Sequence, residues 1–218
     1  MKRKTVAALA AACLAFCLIF AGCGIDLEAY PPIDPVDIAS EELVTAANST
    51  FSVQYPAGKW TGTDGTSPLI VYYTDTMDTT QAVNVNVQQS GTYSGKFTEK
   101  YMNKLLESIT KSFPNIEIQK AELRSLNGKS VIYTETVTRI TDETLDLLLE
   151  QGVITQDDIE SAGGRDALLS APPTDQVTLY AVKGAYLYIY TGTYYEEEQK
   201  DDVLECMNVL IQTTAEVK

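Results

Sequence analysis

The sequence predicts an α+β domain in which helices flank an antiparallel β-sheet. Three observations predict it. From about residue 50, short runs of alternating apolar and polar residues recur, bounded by Gly and Pro. Two junctions, Leu126-Asn127-Gly128-Lys129 and Lys183-Gly184, read as tight hairpins. The strands come in clusters separated by helical stretches, rather than alternating with helices as a parallel sheet requires.

The elements follow in order. Phe51 to Tyr55 alternates apolar and polar before Pro56 and Gly58 break it, which predicts a strand and a turn. Leu69 to Tyr73 is a second strand, and Asp75 to Thr80 a loop. Val83, Val85 and Val87 alternate with Asn84, Asn86 and Gln88, the pattern of a strand with one wet face. Thr98 suits the cap of a helix reaching about Phe113, with Tyr101, Met102, Leu105 and Ile109 along its apolar stripe. Phe97 and Met102 stand where a hydrophobic staple would close. Ile116 to Leu126 and Ser130 to Thr138 form the first hairpin. A helical insert, about 141–175, comes next: Thr141 caps one helix, and Thr155 with Asp158 has capping-box spacing for another. Gln176 to Val182 and Ala185 to Thr193 form the second hairpin. A final helix runs from about Glu197 to Thr213, its acidic start matched to the positive end of the helix dipole.

Composition narrows the function. The chain has 218 residues, 44% hydrophobic and 21% charged, enough for one well-buried domain. Acids outnumber bases 30 to 16, and three of the bases (Lys2, Arg3, Lys4) lie in the first four residues. The remainder carries 13 bases against 30 acids, or −17. Such a chain repels nucleic acid and anionic headgroups, so no nucleic-acid partner is expected. There is no histidine. That excludes Ser-His-Asp and Cys-His chemistry and the usual zinc sites.

The first 22 residues read as a secretory leader, with a short basic start followed by the uncharged run Val6 to Gly22. Alone, that run approaches the length of a membrane span. The junction Phe20-Ala21-Gly22-Cys23 resembles the bacterial lipobox, with Phe20 where the motif usually has Leu. The resemblance implies cleavage between Gly22 and Cys23 and a diacylglycerol on the Cys23 sulfur. Two acyl chains suffice for stable attachment, where one is marginal. The expected location is the extracytoplasmic face of a cell membrane. Cys13 and Cys17 would leave with the leader and Cys23 would carry lipid. Only Cys206 remains, in a helical pattern with Val203, Met207 and Leu210, which suits a packed thiol better than a reactive one. Residues 23–49 are then the lipidated N-terminus and a Pro-rich acidic tether, GIDLEAYPPIDPVDIASEE at its start, and 50–218 the domain.

The order of elements carries a further resemblance. The strand FSVQYPAGKW, the helix TEKYMNKLLESITKSFPN, the strands around LNGKSVIYTETV and the hairpin QVTLYAVKGAYLYIYTGTY look like the PsbP-like domains of bacterial lipoproteins. The resemblance implies a PsbP-like α/β/α sandwich and a non-catalytic accessory or binding role. Members include extrinsic subunits such as the plant protein supporting the oxygen-evolving complex. The insert is longer than that pattern leads one to expect, and no ion-handling residue of the family can be matched here.

The candidate sites are few. Tyr186, Tyr188 and Tyr190 share one face of a strand. Such a ladder could bind glycans or peptides, but more often marks a central strand packed on both faces. Trp60, the only tryptophan, suits either a partner anchor or a cover for the sheet's end. Asp64, Asp75 and Asp78 lie in loops without a calcium-loop spacing, and Glu196 to Glu198 with Asp201 and Asp202 are explained by the helix start. No metal or other cofactor is expected. Paired carboxylates could hydrolyse glycosides, but nothing places two across a cleft. The expected function is a membrane-anchored accessory module for an envelope protein complex. The alternative is a receptor for a solute, cation or glycan serving a transporter.

Overall fold

The computed structural model describes residues 30–33, 38, 42–79, 81–113, 115–126, 128–150, 152 and 154–217. The leader, Gly22, Cys23 and most of the tether lie outside the described residues, as does Asn127 of the first hairpin. In chain order the strands are β1 (Leu43–Ala47), β2 (Phe51–Pro56), β3 (Trp60–Gly62), β4 (Leu69–Tyr73), β5 (Asn84–Thr92), β6 (Ile116–Leu126), β7 (Lys129–Thr138), β8 (Thr174–Lys183), β9 (Tyr186–Tyr194) and β10 (Ala215–Glu216). The helices are α1 (Glu99–Ser112), α2 (Asp142–Glu150), α3 (Gln156–Ser161), α4 (Arg165–Leu169) and α5 (Glu197–Thr213).

The fold is α+β with antiparallel sheets, as expected. Seven strands form the main sheet in the order β3-β4-β5-β9-β8-β7-β6, and β1-β2-β10 form a small one. One face of the main sheet packs against α5 and β2 through Val85, Val87, Tyr188, Tyr190, Val203, Met207 and Leu210. The other face packs against α1 through Phe97, Leu123, Ile132, Tyr180, Leu187 and Ile189. Local chemistry sets the helix starts. The Thr98 side chain accepts from the Tyr101 N–H, and Thr155 and Asp158 form a reciprocal capping box. Phe97 is fully buried, and Met102 packs against its cluster, as a staple requires. The helices of the insert bury Leu145, Leu148, Ile154, Ile159 and Leu168 in a small core of their own.

The folded unit begins before residue 50, which corrects the expected boundary of the tether. β1 lies within 23–49 and pairs along its whole length with β2, from Leu43 opposite Pro56 to Ala47 opposite Ser52. Further upstream, Pro32 pairs in parallel with Ser125 at the end of β6. The Ile33 N–H donates to the Ser125 carbonyl at 2.8 Å, and the Ser125 N–H to the Pro31 carbonyl at 2.9 Å. Ile33 is buried in the α5-side core. The physical reason is that these segments are held by main-chain hydrogen bonds. Only Ala46 of β1 is buried, so no apolar alternation marks the strand in the sequence.

Candidate functional site

Three of the four aromatic candidates belong to the core, which bears against the ligand or partner surface and agrees with the packed reading of that strand and of Trp60. Tyr188 and Tyr190 are 1% and 0% exposed. β9 is the central strand of the sheet, so its tyrosine face lies under α5 and β2. Phe51 meets Tyr188 edge-on with ring centroids 5.4 Å apart. The Tyr190 hydroxyl lies 2.8 Å from Thr214 Oγ1, and burial pushes its phenol far above the ordinary range. Trp60 is also buried, edge-on to Tyr73 at 5.3 Å. Tyr186, at the start of β9, is half-buried and packs against the same core.

The loop acids and the thiol have structural surroundings. Asp64 accepts the Ala47 N–H at 2.9 Å, which ties the β3–β4 loop to β1. Among the described residues no three metal-ligating side chains gather. Cys206 is 1% exposed in α5, and burial pushes its thiol well above the ordinary value.

The structure brings together an ionic network that sequence reading missed. Along β6 and β7 on the α5 side, the Arg124 guanidinium lies 3.6 Å from the Tyr133 ring centroid and pairs with Glu122 at 2.6 Å. The Tyr133 hydroxyl donates to Glu135 Oε1 at 2.7 Å, and Lys200 of α5 donates to Glu135 Oε2 at 2.9 Å. Burial tends to raise the Glu135 carboxyl, but the Tyr133 and Lys200 hydrogen bonds outweigh it and hold the group below its ordinary value. Burial and the Glu135 hydrogen bond both push the Tyr133 phenol far up. At neutral pH the network therefore holds a fixed phenol, a fixed carboxylate and a fixed ammonium. Its partners span β6, β7 and α5, far apart in sequence, and no spacing signals them.

A second feature is a half-buried polar platform on the α1 side of the sheet. Asn84, Asn86 and Gln88 of β5 share it with Ile70 and Tyr72 of β4, since Ile70 pairs with Asn86 and Tyr72 with Asn84. Beside it on the same face lie the buried Thr191 and Thr193 of β9 and Gln176 of β8, with the Gln176 amide donating to Thr193 at 3.2 Å. The Asn86 amide donates to Asn84 at 3.0 Å, but Asn86 Oδ1 is buried without a hydrogen-bond partner. An orphan acceptor of this kind costs roughly 1–3 kcal/mol until a donor reaches it.

The third feature is a charge asymmetry along the strands. Thr138 at the end of β7 pairs with Thr174 at the start of β8, and Asp175 pairs with Tyr194 at the end of β9. The insert and the start of α5 therefore leave the sheet at the same end. Residues 141–175 carry nine acids against Arg165 alone, a balance of −8. Residues 196–205 carry six acids against Lys200, a balance of −5. Thus the two segments that leave the sheet at this end carry −13 between them, offset in part by Lys59, which pairs with Asp202, and by Arg139 near Asp175.

No family model matches the sequence, and no curated protein matches it. Similar solved structures include cyanobacterial PsbP from Synechocystis, at 13% identity and a TM-score of 0.45, covering 84% of this chain and 98% of that one. LpqN, involved in cell envelope biogenesis of Mycobacterium tuberculosis, is 11% identical with a TM-score of 0.44, covering 81% and 91%. A protein of Bacteroides thetaiotaomicron is 12% identical with a TM-score of 0.41, covering 82% of this chain and 49% of that one. The α+β architecture rests on this chain's own strand pairing and not on these likenesses.

Proposed function

We propose that this chain is a lipid-anchored extracytoplasmic protein, held through Cys23, whose domain is a non-catalytic accessory module for an envelope protein complex. The acidic pole is the surface it offers, and its partner presents a basic patch. The carrying observation is the concentration of charge where the insert and the start of α5 leave the sheet together. A field of one sign attracts an oppositely charged partner, with salt-dependent association. The anchor is supported by the leader and the lipobox-like junction at Gly22-Cys23.

The test is crosslinking in intact cells from a reactive group at exposed Glu160, followed by identification of what is captured. One protein should be recovered reproducibly, less at high salt, and not from the same group at Lys129. Recovery of nothing across growth conditions would sink the reading. The anchor has its own test. Wild type should partition into detergent and Cys23→Ala should not; equal partitioning of both overturns it.

The unsatisfied Asn86 Oδ1 favours a second reading, a receptor for a solute, cation or glycan serving a transporter, its ligand lying on the platform beside Tyr72. A ligand of the native state raises its stability by RT ln(1 + [L]/Kd). A melting screen over neutral sugars, short peptides and Ca²⁺ should then show a shift that Asn86→Leu removes. A flat screen, or a shift that survives the substitution, rejects this reading.

A further inference from the structure

We infer that the domain stands at one orientation on its membrane. The turns joining β6 to β7 and β8 to β9 face the lipid surface, and the acidic pole points away from it. The inference rests on the proposed anchor at Cys23, and two separate observations carry it.

The first is the docking of residues 30–33. The chain is fastened to the sheet at Ser125, where the Pro32 bridge and its two hydrogen bonds lie, with Ile33 in the core. Between Cys23 and Tyr30 there are only seven residue steps. Their greatest reach is about 25 Å, against about 95 Å had the tether been free as far as Thr50. Ser125 pairs with Ser130 beside the β6–β7 turn, and Lys183 pairs with Tyr186 at the β8–β9 turn. Both turns therefore mark the fastened end. The acidic pole lies at the other end of β8, whose ten residues span about 33 Å. The short link keeps Ser125, and the turn end with it, within about 25 Å of the lipid, less than the length of β8.

The second observation is charge. The fastened end carries far less charge: Lys96, Lys100, Lys129 and Lys183 stand against Asp64, Glu99 and Glu216, and the link adds Asp26 and Glu28. The opposite end holds a net −13 over the two segments named above. Anionic headgroups repel that end wherever it comes within a Debye length of them, about 8–10 Å. The covalent fastening and the field select the same orientation. The acidic pole is then free for a partner standing above the membrane.

The experiment uses the full lipidated chain in vesicles of phosphatidylcholine and phosphatidylglycerol that carry a headgroup quencher. Cys206 is buried, so a single fluorophore can be placed by Lys129→Cys or by Glu160→Cys, both positions being exposed. Quenching should be several-fold stronger at 129 than at 160. Lengthening the link with about 20 Gly/Ser residues between Cys23 and Tyr30 should shrink that difference without touching the fold. Ile33→Asp, which releases the fastening, should shrink it too. Equal quenching at both sites in the unmodified chain, or stronger quenching at 160, overturns the orientation while leaving the anchor intact. A chain that stays out of the vesicles overturns the anchor and the orientation with it.

Discussion

Lys183, the last residue of β8, donates its ammonium to the Gln212 carbonyl at 3.0 Å and closes the C-terminal end of α5. The same ammonium reaches the Thr214 carbonyl at 3.2 Å and the Ile211 carbonyl. The last carbonyls of a helix lack intrahelical donors, and a cation there also opposes the negative end of the dipole. Lys183→Met keeps the stem and removes the donor. It should cost about 1–3 kcal/mol, read as a lowered urea midpoint with an unchanged slope.

Two carboxylates on the α5 side of the sheet should respond to pH in opposite senses. Glu135 is held below its ordinary pKa of 4.5 despite burial, by Tyr133 and Lys200. Its contribution is present above that value and is lost as pH falls through the lower folded-state value. Asp175 is raised above its ordinary 3.8, by burial and by nearby Glu197. Its charge therefore destabilises the fold at neutral pH, a penalty relieved as pH falls through the raised value. Glu135→Gln should destabilise at pH 7 by about 1–3 kcal/mol and flatten the acid limb of stability against pH. Asp175→Asn should stabilise at pH 7 by less than about 1 kcal/mol and change nothing well below pH 3.8. Chemical denaturation from pH 3 to 8 (roughly the range over which acids of this kind titrate) separates the two.

Gly192 is required by the approach of α5. A Cβ there would overlap Val203 Cγ1 and lie 2.9 Å from Met207 Sδ. Gly192→Ala should destabilise at the upper end of the usual cost of overpacking, about 1–3 kcal/mol. Val203→Ala opens the same space. In the double variant the two costs should therefore sum to less than their separate values, measured by a double-mutant cycle in urea.

How much of this was legible in the sequence depended on whether burial was periodic. Val83, Val85 and Val87 announced β5, and Thr98 and Thr155 announced their helices through their own side chains. β1 left no such mark, because only Ala46 is buried and the pairing is main-chain. The tyrosines of β9 alternate in the same way for a core strand as for a ligand face. Only the sheet order, with β9 between β5 and β8, decides for the core. The acids of the pole lie in two separate stretches of the sequence, of which only the start of α5 reads as an acidic cluster. They become one feature through the pairings Thr138 with Thr174 and Asp175 with Tyr194, which no local pattern encodes.

Cys206 should behave as a packing residue. Its sulfur is buried among α5-side core residues, and the thiolate, the reactive form, is suppressed by burial. A thiol reagent at pH 8 (about half a unit below the ordinary thiol pKa) should leave the native domain unmodified and label one group after unfolding. Rapid labelling in the native state would mean that α5 opens locally.

The insert should be dispensable for folding. Its apolar side chains form their own cluster, and it leaves and rejoins the sheet at directly paired residues, Thr138 and Thr174. Two strands already paired at their ends can be closed by a two-residue Asn-Gly turn. Replacing residues 139–173 with that turn removes eight acids and two arginines. The truncated chain should keep cooperative unfolding and the pH response of Glu135, because the ionic network uses only β6, β7 and α5. It should lose the capture of a partner from the acidic pole. Loss of cooperative folding would instead make the insert part of the sheet's own stability, and retained capture would move the partner's surface to the start of α5 alone.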